Sequence, residues 1–250
     1  MAEIADSPEN TSLSVEVESI DTVWDEDKLT SEMGSGTLPN YDTLPKKIVL
    51  DGKLNDLSNR VLEFSKLPEN QDIEVGVVVT KNGNEVAYPN EIQKGLGAQI
   101  SIGNKKDSEV NLASVHTHPN HSPSFFSEGD IAHMLDNTVS ERVMLVHSGE
   151  LTLMAVSSNI TPQVPTEEAV NIRYHIGQRL EYIRGNYDTS TLDQFVTRHG
   201  RDPNDNEDWI NFVKGVHQSQ VVGIVRECKD LGIKLYSSPK GQSQFTQIEM

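Results

Sequence analysis

His116 and His118 stand two residues apart in the run Asn-Leu-Ala-Ser-Val-His-Thr-His, whose composition predicts a β-strand interrupted at Pro119. Side chains at i and i+2 of a strand project from one face, so the two imidazoles offer two neutral nitrogens to one small cation. Asp130 follows twelve residues after His118, at the third position of a helix opened by Ser127. A strand end facing a helix N-terminus converges two imidazoles and one carboxylate and leaves a fourth position open for water, as a catalytic zinc requires. Each part also has an ordinary structural account. Isolated His-x-His pairs are common, and Ser127-x-x-Asp130 is a capping box, in which the serine accepts a backbone N–H and the acid answers the helix dipole. The conjunction is what points to a metal. The two roles are compatible, because a cap fixes the position of the carboxylate.

His116-Thr-His118-Pro, followed by a spacer and Ser127-x-x-Asp130-Ile131, resembles the signature of the JAMM (MPN+/JAB) zinc metallopeptidases, and is most similar to the bacterial JAB-like subset. The resemblance covers roughly residues 50–156. The spacer from His118 to Ser127 is eight residues, one more than the common family pattern, and a loop absorbs one residue at little cost. The resemblance implies an α/β fold of the cytidine-deaminase-like type, a mixed sheet flanked by helices. It implies one zinc ion on His116, His118 and Asp130, with Ser127 helping to hold the tetrahedral oxyanion. It also implies an upstream glutamate as general base, for which Glu74 in Asp-Ile-Glu-Val-Gly-Val-Val-Val is the best match. Chemistry supports that choice, since a carboxylate in a strand apolar on both faces is costly unless paired or working. Glu69 is the fallback, and Glu85 and Glu109 are weaker because they fall in turn or loop contexts. The implied substrate is a protein or peptide, extending to isopeptide bonds at the C-terminus of ubiquitin-like proteins.

Other readings of the same run are weaker. His116-Thr-His118-Pro-Asn120-His121 nearly matches a metallo-β-lactamase pattern, but Asn120 stands where an anionic second-metal ligand belongs. An inactive JAB-like binding module would show a broken ligand set, and here every ligand type is present. Zinc deaminases need a Pro-Cys-x-x-Cys run, which the lone Cys228 excludes. The stretch after Asp202 resembles a calcium loop but has Glu207 where glycine is required. His133, His147, His175, His199 and His217 show no partner spacing and read as structural.

The elements that must position these residues follow from periodicity. Leu54, Leu57, Val61, Leu62 and Phe64 predict a helix ending before Pro68. Residues 73–88 read as a hairpin around Asn82-Gly83, a pair that favours a type I′ turn, and 141–157 as a second hairpin turning at 147–150. Between the strand of His116 and that second hairpin lies the helix from Ser127 to about Asn137. After Pro165 come a helix through Ile172, Ile176, Leu180 and Ile183, a short one near Leu192, and a long one from Trp209 to Gly232. Ile-Lys-Leu-Tyr-Ser-Ser and Gln-Phe-Thr-Gln-Ile then read as returning strands that could rejoin the main sheet.

The chain of 250 residues carries a formal net charge of −17. Residues 1–45 hold eleven acids against Lys28 and show no sustained periodicity, so they read as an acidic disordered tail; a run through Val23 and Trp24 could instead dock. Residues 46–160 form the expected metallopeptidase core and 161–250 a helical extension of the same domain. The charge disfavours nucleic acid and anionic membranes as partners. No secretory leader or membrane-spanning run is visible, and the expected setting is cytoplasmic. With one cysteine, a zinc ion would have to be held by histidine and aspartate.

Overall fold

The computed structural model describes residues 23–95, 110–119, 125–199 and 220–249, with side chains in all of these except 183–199. Among the described residues, a mixed sheet of ten strands and five helices make up an α/β architecture. In chain order the elements are β1 (Val23–Asp25), α1 (Glu26–Met33), β2 (Lys47–Val49), α2 (Lys53–Ser65), β3 (Val75–Asn82), β4 (Glu85–Ala87) and β5 (Gln93–Lys94). Then follow β6 (Val110–Thr117), α3 (Glu128–Leu135), β7 (Val143–Ser148), β8 (Leu151–Ser157), α4 (Thr166–His199), α5 (220–230), β9 (Ile233–Pro239) and β10 (Gln244–Gln247). The strands lie in the order β1-β2-β10-β9-β8-β7-β6-β3-β4, with β5 also beside β3.

Alternation along the central strands builds a core on each face. Val75, Val77, Val79, Ala113 and Val115 face the layer of α2, whose Leu54, Leu57 and Val61 recur at helical spacing. Met144, Val146, Leu153 and Ala155 face the other way, onto Ile131, Met134 and Leu135 of α3, Ile176 of α4, and Ile224, Val225 and Cys228 of α5. β6 and β7 are parallel neighbours joined through α3, the arrangement that leaves a site at the carboxyl end of a strand. The returning strands do rejoin the sheet: β9 pairs with β8, and β10 with both β9 and β2.

Three expectations need correction. Residues 23–45 are not a tail. Trp24, Leu29, Met33 and Leu44 are buried in the same cluster as Ile48 and Phe245, so the docking alternative describes this part of the segment. The first hairpin exists, but Asn82 pairs with Glu85, so the turn is Gly83-Asn84. Only Gly83 of these two takes a positive φ, 57°, as a type II′ rather than a I′ turn requires. The expected separate helix near Leu192 is part of α4, which runs 34 residues without a break. The calcium-like stretch, Trp209, His121, Asn120 and Glu109 lie outside the described residues.

Candidate metal centre

β6 alternates so that Ala113, Val115 and Thr117 face α2, while Ser114, His116 and His118 face α3. Both histidines are buried, at 4% and 9% exposure. α3 brings the carboxylate. Its N-cap Ser127 accepts the Asp130 backbone N–H at 3.2 Å, and Asp130 Oδ2 accepts the Ser127 backbone N–H at 2.7 Å, a closed capping box. The Ser127 hydroxyl also donates to Asp130 Oδ2 at 2.8 Å. Held this way, the carboxylate meets both imidazoles: His116 Nε2 lies 3.1 Å from Oδ1 and His118 Nε2 3.3 Å from Oδ2.

These three residues are the one group of histidine, cysteine and carboxylate side chains among the described residues whose ligand atoms converge, all within 4.8 Å of one another. The spacing suits a shared ion. Bonds of about 2.0–2.2 Å to a tetrahedral zinc separate neighbouring ligand atoms by about 3.4 Å; each imidazole lies 3.1 or 3.3 Å from its own carboxylate oxygen, and one ligand atom from each residue falls within 4.8 Å of the others. Charge agrees. Burial works against the charged form of His116, but the Asp130 carboxylate outweighs it and raises the pKa, with Glu74 and Glu141 adding to the effect. Burial likewise opposes the Asp130 anion, yet His116 and His118 hold its carboxyl well below the usual range. The pocket favours positive charge between its ligands, and a metal cation meets that demand.

Glu74 is placed by the register of β3 on β6. Gly76 pairs with His116, so Glu74, two residues earlier and on the same face, comes opposite His118. It is 9% exposed and immediately precedes β3. The structure therefore brings His116, His118, Asp130, Ser127 and Glu74 to one side of one strand pair. Glu69 lies in a short helical turn at Pro68–Asn70, and Glu85 begins β4 after the hairpin turn.

The histidines read as structural remain apart from the ligand group where they are described. His147 is buried on the α2 side, bonded to Ser58 and Thr152. His133 lies 3.4 Å from the carboxylate of Glu141. Glu141 itself escaped the sequence reading. It is 1% exposed, burial pushes its carboxyl pKa up against the pull of His133, and its charge is felt by His116. The available signal was an acid just before the apolar run Val143–Val146 that opens β7.

Fold and site together define a mixed α/β protein with a buried His-His-Asp group able to hold a metal ion. Comparison with protein-family models, with curated proteins and with solved structures found no match. No helix among the described residues is long and apolar enough to cross a membrane.

Proposed function

We propose that the chain is a zinc-dependent hydrolase of the JAMM type, cleaving a peptide or isopeptide bond in a protein or peptide substrate. The observation that carries this reading is the convergence of His116 Nε2, His118 Nε2 and the Asp130 carboxylate, with Ser127 bonded to that carboxylate and Glu74 opposite His118. The ligand set is two nitrogens and one oxygen, three protein ligands as catalytic zinc sites use. The position at the carboxyl end of β6, beneath a helix N-terminus, accords with the cytidine-deaminase-like arrangement that the sequence motif implies.

A zinc ion held by His116, His118 and Asp130 would supply Lewis acidity and lower the pKa of a water toward about 7. The remaining work belongs to the chain. Glu74, buried opposite His118, removes a proton from the attacking water and returns it to the leaving amine. Ser127 donates a hydrogen bond to the oxyanion, its hydroxyl turning from Asp130 toward the substrate carbonyl. Asp130 is both ligand and cap, so the helix that carries it also sets its geometry. The C-terminus of a ubiquitin-like protein is the substrate that the motif resemblance suggests.

The test measures zinc per chain and turnover of peptide and isopeptide-linked substrates for the wild type, Glu74→Gln and Asp130→Ala. Glu74→Gln is expected to keep one zinc and lose about 10²–10⁴-fold in turnover, and Asp130→Ala to lose both. A wild-type chain that takes up no zinc would overturn the hydrolase reading. An active Glu74→Gln enzyme would remove Glu74 as base and reopen Glu69.

A further inference from the structure

Beside Ser127 the structure opens a cavity of about 540 Å³, within the size range of small-ligand pockets. Its floor is apolar. Phe125 and Phe126 come from the residues just before α3, Val170 and Leu180 from α4, and Val221 and Ile224 from α5. The two phenylalanines meet edge to face, with ring centres 5.6 Å apart. Ser127 and Glu128 form the wall nearest the ligand group, and the Ser127 hydroxyl is bonded to Asp130 at 2.8 Å. One hydrogen bond therefore separates a residue of the cavity wall from a proposed metal ligand.

Two further observations indicate that the cavity is kept open for an occupant. Gly177 sits in its wall, inside α4. A glycine within a helix is destabilising relative to alanine, and among the described residues no packing demands one here. A Cβ at Gly177 would meet only Glu128 Cγ, at 3.8 Å, an ordinary contact. What the missing side chain preserves is space in the cavity. At the mouth, Val170 and Tyr174 stay 58% and 62% exposed one turn apart, an apolar edge continuous with the floor. The charges of Glu128 and Arg173 face each other across 3.8 Å, and the remaining charge in the lining, Glu181, disfavours an acidic group.

We propose that this cavity is the side-chain subsite of the hydrolytic centre and takes a large apolar side chain, of leucine or phenylalanine size, from the residue beside the bond that is cut. The assignment rests on the hydrolase reading for the word hydrolytic, and on the cavity itself for the side chain it takes. α4 and α5, outside the stretch that resembles a known family, thus acquire a role in substrate selection.

The test has two arms, both with the full chain. In the first, N-acetyl-phenylalanine amide and N-acetyl-glycine amide are titrated into metal-free protein and followed by amide NMR. The phenylalanine amide is expected to bind at least about tenfold more tightly, the order that burial of a large apolar side chain gives, with the largest shifts at Gly177 and Ile224. Gly177→Leu, which intrudes into the cavity, and Val170→Lys, at a position 58% exposed, should each reduce the preference. Equal affinities, or a preference that survives undiminished in both variants, would overturn the subsite. In the second arm, zinc-loaded protein is incubated with a mixed pool of peptides and isopeptide-linked peptides, and the cut sites are read by mass spectrometry. Leucine or phenylalanine beside the cut supports the subsite, and cutting without side-chain preference overturns it. If nothing is cut while the first arm holds, the hydrolase reading falls alone and the cavity stands as a site for apolar side chains.

Discussion

His147 shows how a single residue's surroundings decide its chemistry. It lies on β7 opposite Thr117, one residue from each candidate ligand, yet it faces the other side of the sheet. Its Nε2 lies 2.9 Å from the Ser58 carbonyl and its Nδ1 2.9 Å from the Thr152 hydroxyl, so the neutral ring with its proton on Nε2 satisfies both contacts. Burial lowers its pKa from 6.5 to about 4. The unfolded chain therefore gains a proton near pH 6.5 that the folded chain refuses until about pH 4, and stability falls with decreasing pH across that window. The slope is at most about 1.4 kcal/mol per pH unit. Urea unfolding of metal-free protein at pH 7 and pH 5 should show this loss in the wild type and a smaller one in His147→Gln. Identical losses would refute the account. The sequence could not reveal this environment, because Ser58 is 89 residues away on α2. His116, His118, Ser127 and Asp130 were legible for the opposite reason: they lie close together in sequence at the end of β6 and at the start of α3, and spacing alone sets their faces. Glu74 needed the β3–β6 register as well.

At the scale of elements, the N-cap of α2 is Gly52, which has no side chain with which to cap the helix. Glu26, the first residue of α1, supplies the cap from a distance. Its carboxylate accepts the backbone N–H groups of Gly52, Leu54 and Asn55 at 2.9, 2.6 and 3.1 Å, and is only 3% exposed. A buried anion at a helix N-terminus is stabilised by the free N–H groups and by the helix dipole together. Glu26→Gln turns an amide N–H₂ toward those donors and should cost about 1–3 kcal/mol in urea unfolding; no change would mean that water satisfies the helix end equally well. A second element boundary rests on Gly232, between α5 and β9, at φ 70°. A Cβ there would approach Ile160 Cγ1 to 2.4 Å, and the Gly232 carbonyl already accepts the Ser158 and Thr161 hydroxyls. Gly232→Ala combines left-handed strain with that clash and should lower the melting temperature, by about 1–3 kcal/mol or more in stability; a wild-type melting temperature would contradict it. Gly232 was readable as a helix stop, since periodicity ends there. Glu26 was not, because an acid in an acidic stretch gives no local sign that one carboxylate is buried.

For the whole molecule, that acidic stretch changes the meaning of the net charge. Residues 1–22 carry six acids and no base, so −11 of the −17 belongs to residues 23–250. Composition sums charge without knowing which acids face backbone donors, and for that reason it extended the tail through residue 45. The topology supplies what composition lacks. β2 lies between β1 and β10, so the beginning and the end of the described chain complete one edge of the sheet together. Lys234 Nζ donates to the Leu44 carbonyl at 3.0 Å, and the Tyr236 hydroxyl to the Pro45 carbonyl at 2.8 Å. No periodicity in residues 23–45 could announce partners about 190 residues away. Deleting residues 1–45 would remove Trp24, Leu29, Met33 and Leu44, four buried apolar side chains, and uncover Ile48 and Phe245. At about 1.5–3 kcal/mol each, the four amount to most of the 5–15 kcal/mol by which a typical domain is stable. The shortened chain keeps every candidate ligand in sequence, yet it should unfold at much lower urea and bind hydrophobic dye. It should also lose the zinc uptake proposed for the full chain, because a metal site needs β6 and α3 held against each other. A shortened chain with full zinc content and an unchanged urea midpoint would show instead that residues 46–250 fold alone, and that the edge formed by β1 and α1 is only an addition to a self-sufficient core.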